Sequence, residues 1–434
     1  MKNFIQLTSI CMAVSAMVLA NAAHAQTTDP VILSFSTVGD SRQDPAKVDV
    51  TQKPMSAQDY QWLQNSKAWS RLMREITAKK PNLLFFNGDM IMGYGNASLP
   101  GALPATVTDY MNTDLARYYT QSAFWRGMVA PLIESGTYVV PVAGNHEVQC
   151  RSGAVTTGAG IVGSITAANT TTGNWAANIT CKDVNGSAAT GKLGMKVNED
   201  AWRANMGDLI IDTARMNAVL PVGQTVSSIN ATAPGAADGL STDQSKLSYS
   251  FDVGTSHFAI INTDPAGADG TAPANWLNAD FSAAQARGAT RFFVFGHKPA
   301  YTYFYNTSAT AGGLDTTLTG GVAVNRDAFW SVVESYGATY FCGHEHTYNV
   351  MQPTVKNADG SINHVSTAYQ VLVGSGGSPF DVATLDTAHN EPVTDRYYAF
   401  ANVRIFQSGK VQLDAYGFSD TYGPTKLLQS ITLH

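Results

Sequence analysis

Short apolar runs that stop abruptly at a glycine punctuate this chain. Five share one form: VILSFSTVGDSR (31 to 42), NLLFFNGDM (82 to 90), TYVVPVAGNHE (137 to 147), RFFVFGHKP (291 to 299) and ATYFCGHEH (338 to 346). Near-continuous apolar runs of this length predict strands covered on both faces, because a strand with one wet face would alternate. The polar residue that follows each glycine then falls just past the carboxyl end of its strand. Open α/β sheets hold their ligands at that edge.

Helical spacing fills the gaps between these runs. SAQDYQWLQNSKAWSRLMREITAKK places Trp62, Trp69, Leu72, Met73 and Ile76 on one stripe, and Leu115, Tyr118, Tyr119, Phe124, Trp125 and Met128 form a second. NWLNADFSAAQARGATR precedes the fourth run and NRDAFWSVVESYG the fifth, its glycine suiting a helix stop. After residue 365, AYQVLVGSGG, YYAFANVRIF, VQLDAYGF and KLLQSITLH predict strands that complete a second sheet. Residues 150 to about 245 are dominated by Gly, Ala, Thr, Ser and Asn and predict a loop-rich insertion.

The amino end changes the reading of the compartment. Residues 1–25 join Met-Lys-Asn to a short apolar stretch and finish in Ala23-His24-Ala25, the pattern of a removed export signal. A retained anchor is the weaker reading, since Gln6, Thr8 and Ser9 interrupt the apolar stretch and no later run is long enough to span a bilayer. Residues 26–434 are therefore expected as a single mature domain, periplasmic or secreted. In an oxidising compartment Cys150 and Cys181 are the expected pair, worth roughly 3 to 4 kcal/mol on the chain-entropy account. Cys342, inside TYFC, is expected as a buried inert thiol.

A formal charge of −6 and the lack of any basic run argue against general nucleic-acid binding. An anionic substrate would need a local attractor, and bound cations are one. Of nine histidines, His146, His297, His344 and His346 fall in the five motifs, beside Asp40, Asp89 and Asn145. Mixed carboxylate, amide and imidazole donors suit Mn²⁺, Zn²⁺ or Fe, and no CxxC is present for a thiolate site. Two close cations need a shared charged ligand, for which Asp89 is the candidate.

In this order, GD, GD, GNHE, GH and GHxH resemble the calcineurin-like metallophosphoesterase superfamily. YSFDVGTSHFAIINTD, GHKPAY and VLVGSGG resemble its purple-acid-phosphatase-like branch. The resemblance spans most of the chain, from Asp40 to His346. It implies an α/β fold, a four-layer α/β/β/α sandwich of two mixed β-sheets, with the active site on the carboxyl-end loops. It also implies two divalent or trivalent ions (Mn, Zn or Fe), bridged by Asp89. Asn145, His297 and His344 would complete one site, while Asp40 and His346 would contribute to the other. His146 would face the substrate as the catalytic imidazole, with Glu147 either orienting it or serving as a surface or capping residue. The implied reaction is attack on a small phosphorylated substrate by a water that the ions activate, with phosphomonoester hydrolysis favoured. Phosphodiesterase or nucleotidase activity, or a non-catalytic binding protein on the same fold, are the alternatives.

Two departures stand out. The family's Asp-x-His is here Asp40-Ser41-Arg42, and the tyrosine of the purple branch is replaced by Met92. Water, Asp44 or Tyr94 are the candidates to complete the Asp40 site. Arg42 could grip the substrate phosphate from the face opposite the ions, or form a structural ion pair. His257 is expected as a hydrogen-bonded core residue, and His364, His389 and His434 as bystanders. Asn262 and Asp264 fit either support of the site or turn chemistry. Oligomeric state is not encoded in any of these patterns.

Overall fold

The computed structural model describes residues 29–42, 66–111, 113–152, 181–189, 191–303, 322–357, 361–378 and 396–434, with short stretches at 313–314, 318–319, 380–381, 385–386 and 391–392. The expected leader, Asp44, Trp62 and His389 lie outside the described residues.

Its principal elements run β1 (Val31–Val38), α1 (Ser66–Lys79), β2 (Leu83–Phe86), α2 (Asp114–Glu134), β3 (Tyr138–Pro141), α3 (Asn145–Val148), β4 (Gln149–Ser152) and β5 (Gly191–Gly194). They continue with α4 (Lys196–Met206), β6 (Val226–Asn230), β7 (Tyr249–Val253), β8 (Ser256–Ile260), α5 (Ala274–Ala286), β9 (Arg291–Phe295), α6 (Val324–Ser335) and β10 (Thr339–Cys342). The last are β11 (Tyr348–Met351), β12 (Tyr369–Val373), β13 (Tyr397–Phe406), β14 (Val411–Ser419) and β15 (Lys426–Thr432).

Two large mixed sheets result. One has six strands in the order β15-β14-β13-β1-β2-β3, and the other seven in the order β11-β12-β10-β9-β8-β7-β6. All five motif strands pair in parallel: β1 with β2 and β2 with β3 in the first sheet, β9 with β10 in the second. Parallel pairing forces every motif glycine of a sheet to the same edge.

The alternation of side chains explains why these runs are apolar throughout. Phe35 of β1 points at the second sheet, with its ring 5.3–5.8 Å from those of Phe85, Phe258, Phe293, Phe295 and Phe341. Phe86, one residue on from Phe85, points the other way, against Trp69 of α1 and Trp125 of α2 at 5.1 Å each. Each such ring gains about 1.5–3 kcal/mol from burial, plus about 0.5–1.5 kcal/mol per edge-on partner. A second cluster joins α5 and α6, through Leu277, Phe281, Phe329, Trp330 and Val333, to Phe292, Tyr340 and Leu372 of the seven-stranded sheet. Among the described residues no helix is long and apolar enough to cross a membrane.

Three expectations change. β12 does enter the second sheet, but β13 to β15 return to the first, where β13 lies antiparallel to β1. Strand identity is local, whereas partner choice is decided by long-range burial. The stretch 196–245 is more than loop: α4 buries Trp202 and Met206, and β6 forms an edge strand of the second sheet. Its sparse apolar residues sit at helical spacing, a signal masked by the polar composition around them. Tyr119 is 64% exposed, because it lies a third of a turn away from the buried stripe of Tyr118, Trp125, Val129 and Leu132.

Candidate metal centre

Beyond the strand ends the chain is forced into conformations that most side chains avoid. Asp40, Asp89 and His344 all have positive φ, at 62°, 55° and 74°. Left-handed backbone at non-glycine residues costs on the order of 1–3 kcal/mol each and persists where surrounding contacts over-determine it. The loops are indeed laced together. Asp40 N–H donates to the Gly88 carbonyl and Arg42 N–H to the Asp89 carbonyl, both at 2.9 Å. Gly343 N–H donates to the His297 carbonyl at 2.9 Å. Glycine is required between them: a Cβ on Gly88 would lie 2.5 Å from His297 Nδ1, and one on Gly343 would collide with the Asp40 carboxylate.

These loops bring Asp40, Asp89, Asn145, His146, His297, His344 and His346 into one cluster. Two groups of donors stand out: Asp89, His297 and His344, and Asp40, Asp89 and His346. In the first group His297 Nε2 lies 3.1 Å from Asp89 Oδ1, 2.8 Å from Asn145 Oδ1 and 3.1 Å from His344 Nδ1. His344 Nδ1 is in turn 2.7 Å from Asn145 Oδ1. Two of the four side chains are oriented from behind. His297 Nδ1–H donates to the Asn87 carbonyl at 2.7 Å, and Asn145 Nδ2 donates to the Tyr94 hydroxyl, so Nε2 and Oδ1 face inward.

Four lone pairs meeting at one point repel unless positive charge sits among them. Burial opposes charge on His297, yet the adjacent Asp89 outweighs burial and pushes the ring up to about 10. Burial and the neighbouring His297 hold His344 well below the usual imidazole range. A single proton thus occupies a pocket whose donors, two imidazole nitrogens and two oxygens, fit a borderline cation.

The second group shares Asp89, whose Oδ2 faces Arg42 and His146. Asp40 Oδ2 accepts from His344 N–H at 2.9 Å, while Oδ1 lacks a hydrogen bond and lies 3.6 Å from His346 Nε2. Burial raises the Asp40 carboxyl well above its usual range. Arg42 is here as well, with Nε 3.6 Å from Asp89 Oδ2 and an Nη2–H donated to His346 Nε2 at 3.3 Å. The guanidinium therefore lies among the donors, where it forms the ion pair of the second expectation for Arg42. A cation and a guanidinium compete for the same two acceptors.

His146 is buried beside both groups. Its Nδ1–H donates to the Met92 carbonyl at 2.5 Å, which leaves Nε2 facing inward, 3.6 Å from Asp89 Oδ2. Glu147 does not orient this ring. Its carboxylate accepts four backbone N–H groups, from Asp89, Met90, Ile91 and Gly144 at 2.7–3.1 Å, and so locks the Asp89 loop onto the start of α3.

Asp381 and Lys192 had no sequence signal, and Tyr94 takes a different part from the one expected. Tyr94 holds Asn145 instead of joining the Asp40 group, and its ring lies 3.8 Å from that of His146. Asp381 accepts from His346 N–H at 2.9 Å. Lys192 of β5 lies over the Tyr94 ring at 4.7 Å, brought there by the β4–β5 pair that follows α3. The bond Cys150–Cys181 is formed, and Cys342 is buried with its thiol pushed up by desolvation. Asp264 pairs with Lys298 at 2.5 Å and accepts from Gln149 at 3.0 Å, which braces the loop after β8. His364 pairs with Glu334 at the surface.

Neither a family model nor a curated protein matches the chain. Among solved structures it is similar to a purple acid phosphatase from yellow lupin (Lupinus luteus) seeds, with a TM-score of 0.48 and 14% identity over 93% of this chain and 54% of that one. It is also similar to PhoD, at 0.43 and 12% over 94% of this chain and 73% of that one. A third is a dimetal phosphatase from Danio rerio, at 0.37 and 12% over 93% and 99%. The chain spans about half the length of the lupin protein.

Proposed function

We propose that this chain is an exported metal-dependent phosphoesterase on a four-layer α/β/β/α fold, and that it prefers small phosphomonoesters. One observation carries the reading: Asp89 Oδ1, Asn145 Oδ1, His297 Nε2 and His344 Nδ1 converge, with 2.7–3.1 Å between neighbours, more acceptors than one imidazole proton can satisfy. These four residues would hold a Mn²⁺, Zn²⁺ or Fe ion. When bound there, such an ion would polarise a phosphoryl oxygen and make a nearby water more acidic.

The protein's own groups do the rest. His146, with Nδ1–H committed to the Met92 carbonyl and burial holding the ring neutral, presents a lone pair at Nε2 that would take up the proton released by the attacking water and return it to the leaving oxygen, as the bond from water to phosphorus forms and the bond from phosphorus to the leaving oxygen breaks. Arg42, and Lys192 above Tyr94, supply positive charge for a dianionic phosphate, which supports the monoester preference. The disulfide and the leader pattern of residues 1–25 support a periplasmic or secreted enzyme, with residues 26–434 as one catalytic domain.

Comparing kcat/KM for p-nitrophenyl phosphate with that for its bis ester, in Mn²⁺ or Zn²⁺, tests the proposal. Faster monoester turnover is expected. A faster diester rate would make the enzyme a phosphodiesterase, and no turnover of either ester or of nucleotides would leave a binding protein.

A further inference from the structure

The second donor group is expected to hold a second ion, and its residues do not fit one. We infer that the Arg42 guanidinium is the built-in replacement, so that the centre works with one metal ion and one fixed organic cation. This rests on the first group holding a metal.

Three contacts place the side chain. Arg42 Nε faces Asp89 Oδ2 at 3.6 Å, while the other oxygen, Oδ1, faces His297. Nη2–H is donated to His346 Nε2 at 3.3 Å, so the lone pair a metal would need is already engaged by a proton. Nη1 lies 3.5 Å from Met92 Sδ. Met92 thus touches the arginine where the purple branch has its tyrosine ligand. Both positions at which the sequence departs from the motifs it resembles meet in this one contact: Arg42 offers a cation in place of a neutral imidazole, and Met92 offers a thioether that cannot carry charge.

The remaining partners agree. Asp381 takes the His346 backbone N–H at 2.9 Å, with Oδ1 3.6 Å from Nδ1, and so fixes that ring with Nε2 toward Arg42. The Arg42 backbone N–H is tied to the Asp89 carbonyl at 2.9 Å, so the side chain starts from a loop locked to the metal-binding one. A guanidinium cannot lose its proton and keeps its charge at every working pH. It supplies the second positive charge that a phosphoryl group needs during transfer without depending on metal supply.

Elemental analysis of the purified full chain, after equilibration with Mn²⁺ or Zn²⁺ and removal of free metal, reads the number directly. One ion per chain is expected for the wild type. Arg42→His, which restores a ligand nitrogen, and Arg42→Ala, which empties the position, should both rise to two. Arg42→Lys should stay at one. Two ions on the wild type, or one on both Arg42→His and Arg42→Ala, would overturn the inference while leaving the first site intact. No ion on the wild type would instead overturn the proposed function on which the inference rests. If either variant fails to fold, the wild-type count still decides.

Discussion

Two buried histidine–carboxylate clusters sit at opposite ends of the same parallel strands, and they obey opposite rules. His257, near the start of β8, is fully enclosed and uses both ring nitrogens, Nδ1 toward Asp252 at 2.5 Å and Nε2 toward Asp280 at 2.8 Å. The carboxylates are satisfied in turn. Asp252 accepts from Arg287 at 2.8 Å, and Asp280 accepts from Asn230 and Ser250 at 2.9 and 2.8 Å. At the other end, past β9, His297 Nε2 faces three acceptors at once, which a single N–H cannot satisfy. A closed network of donors and acceptors stabilises the fold. An open one, held in strained backbone, waits for a cation.

The sharpest way to break that contrast is Asp89→Asn, which removes the carboxylate common to both donor groups. Hydrolysis should fall by on the order of 10³-fold or more, and metal content should fall with it, because the charge stabilisation supplied by a bound cation amounts to several kcal/mol. Full activity in this variant would remove Asp89 from the chemistry. His146→Ala should keep the metal while lowering kcat by about 10²- to 10⁴-fold. Loss of the metal would show that this ring is itself a ligand.

At the closed cluster the effect should appear in stability alone. His257→Ala leaves Asp252 and Asp280 facing a void and should cost about 3 kcal/mol or more in a denaturant titration, with metal content unchanged. The sign with pH follows from the shifts. Burial opposes charge on His257, but Asp252 and Asp280 outweigh it and raise the ring above its ordinary value. Its stabilisation is therefore full below about 6.5 and is lost as pH rises through the raised value. Asp252, lowered by His257 and Arg287 against the cost of burial, contributes above about 3.9 and stops contributing as pH falls through its lowered value. A flat stability profile across the alkaline limb would contradict this. The mildest change is Tyr94→Phe, which removes only the hydroxyl that turns Asn145. A 10- to 100-fold loss in metal affinity or turnover is expected, with the fold intact, and an unchanged affinity would make Tyr94 mere packing.

The same contrast explains what could be read in the sequence. Each motif packs a strand, a glycine and a donor into a few consecutive residues, so Asp40, Asp89, Asn145, His146, His297, His344 and His346 were all visible locally. Parallel pairing then brings them to one edge. Tyr94 was visible only as a candidate oxygen donor for the Asp40 group, and Asp381 and Lys192 were invisible because nothing in their own neighbourhood marks them. They matter only through partners 51, 35 and about a hundred residues away. Glu147 was visible yet ambiguous, since a carboxylate after a histidine looks alike whether it orients the ring or caps the loop; only the four N–H groups around it decide. The return of β13 to β1 depends on pairing across some 360 residues of chain, which no local pattern encodes.

The convergence of donors at Asp89, Asn145, His297 and His344 is most directly tested by following p-nitrophenyl phosphate turnover and metal content on one sample through chelation and refilling. Activity should vanish as the ion leaves and return when Mn²⁺ or Zn²⁺ is restored. Undiminished turnover by protein shown to be free of metal would contradict the account.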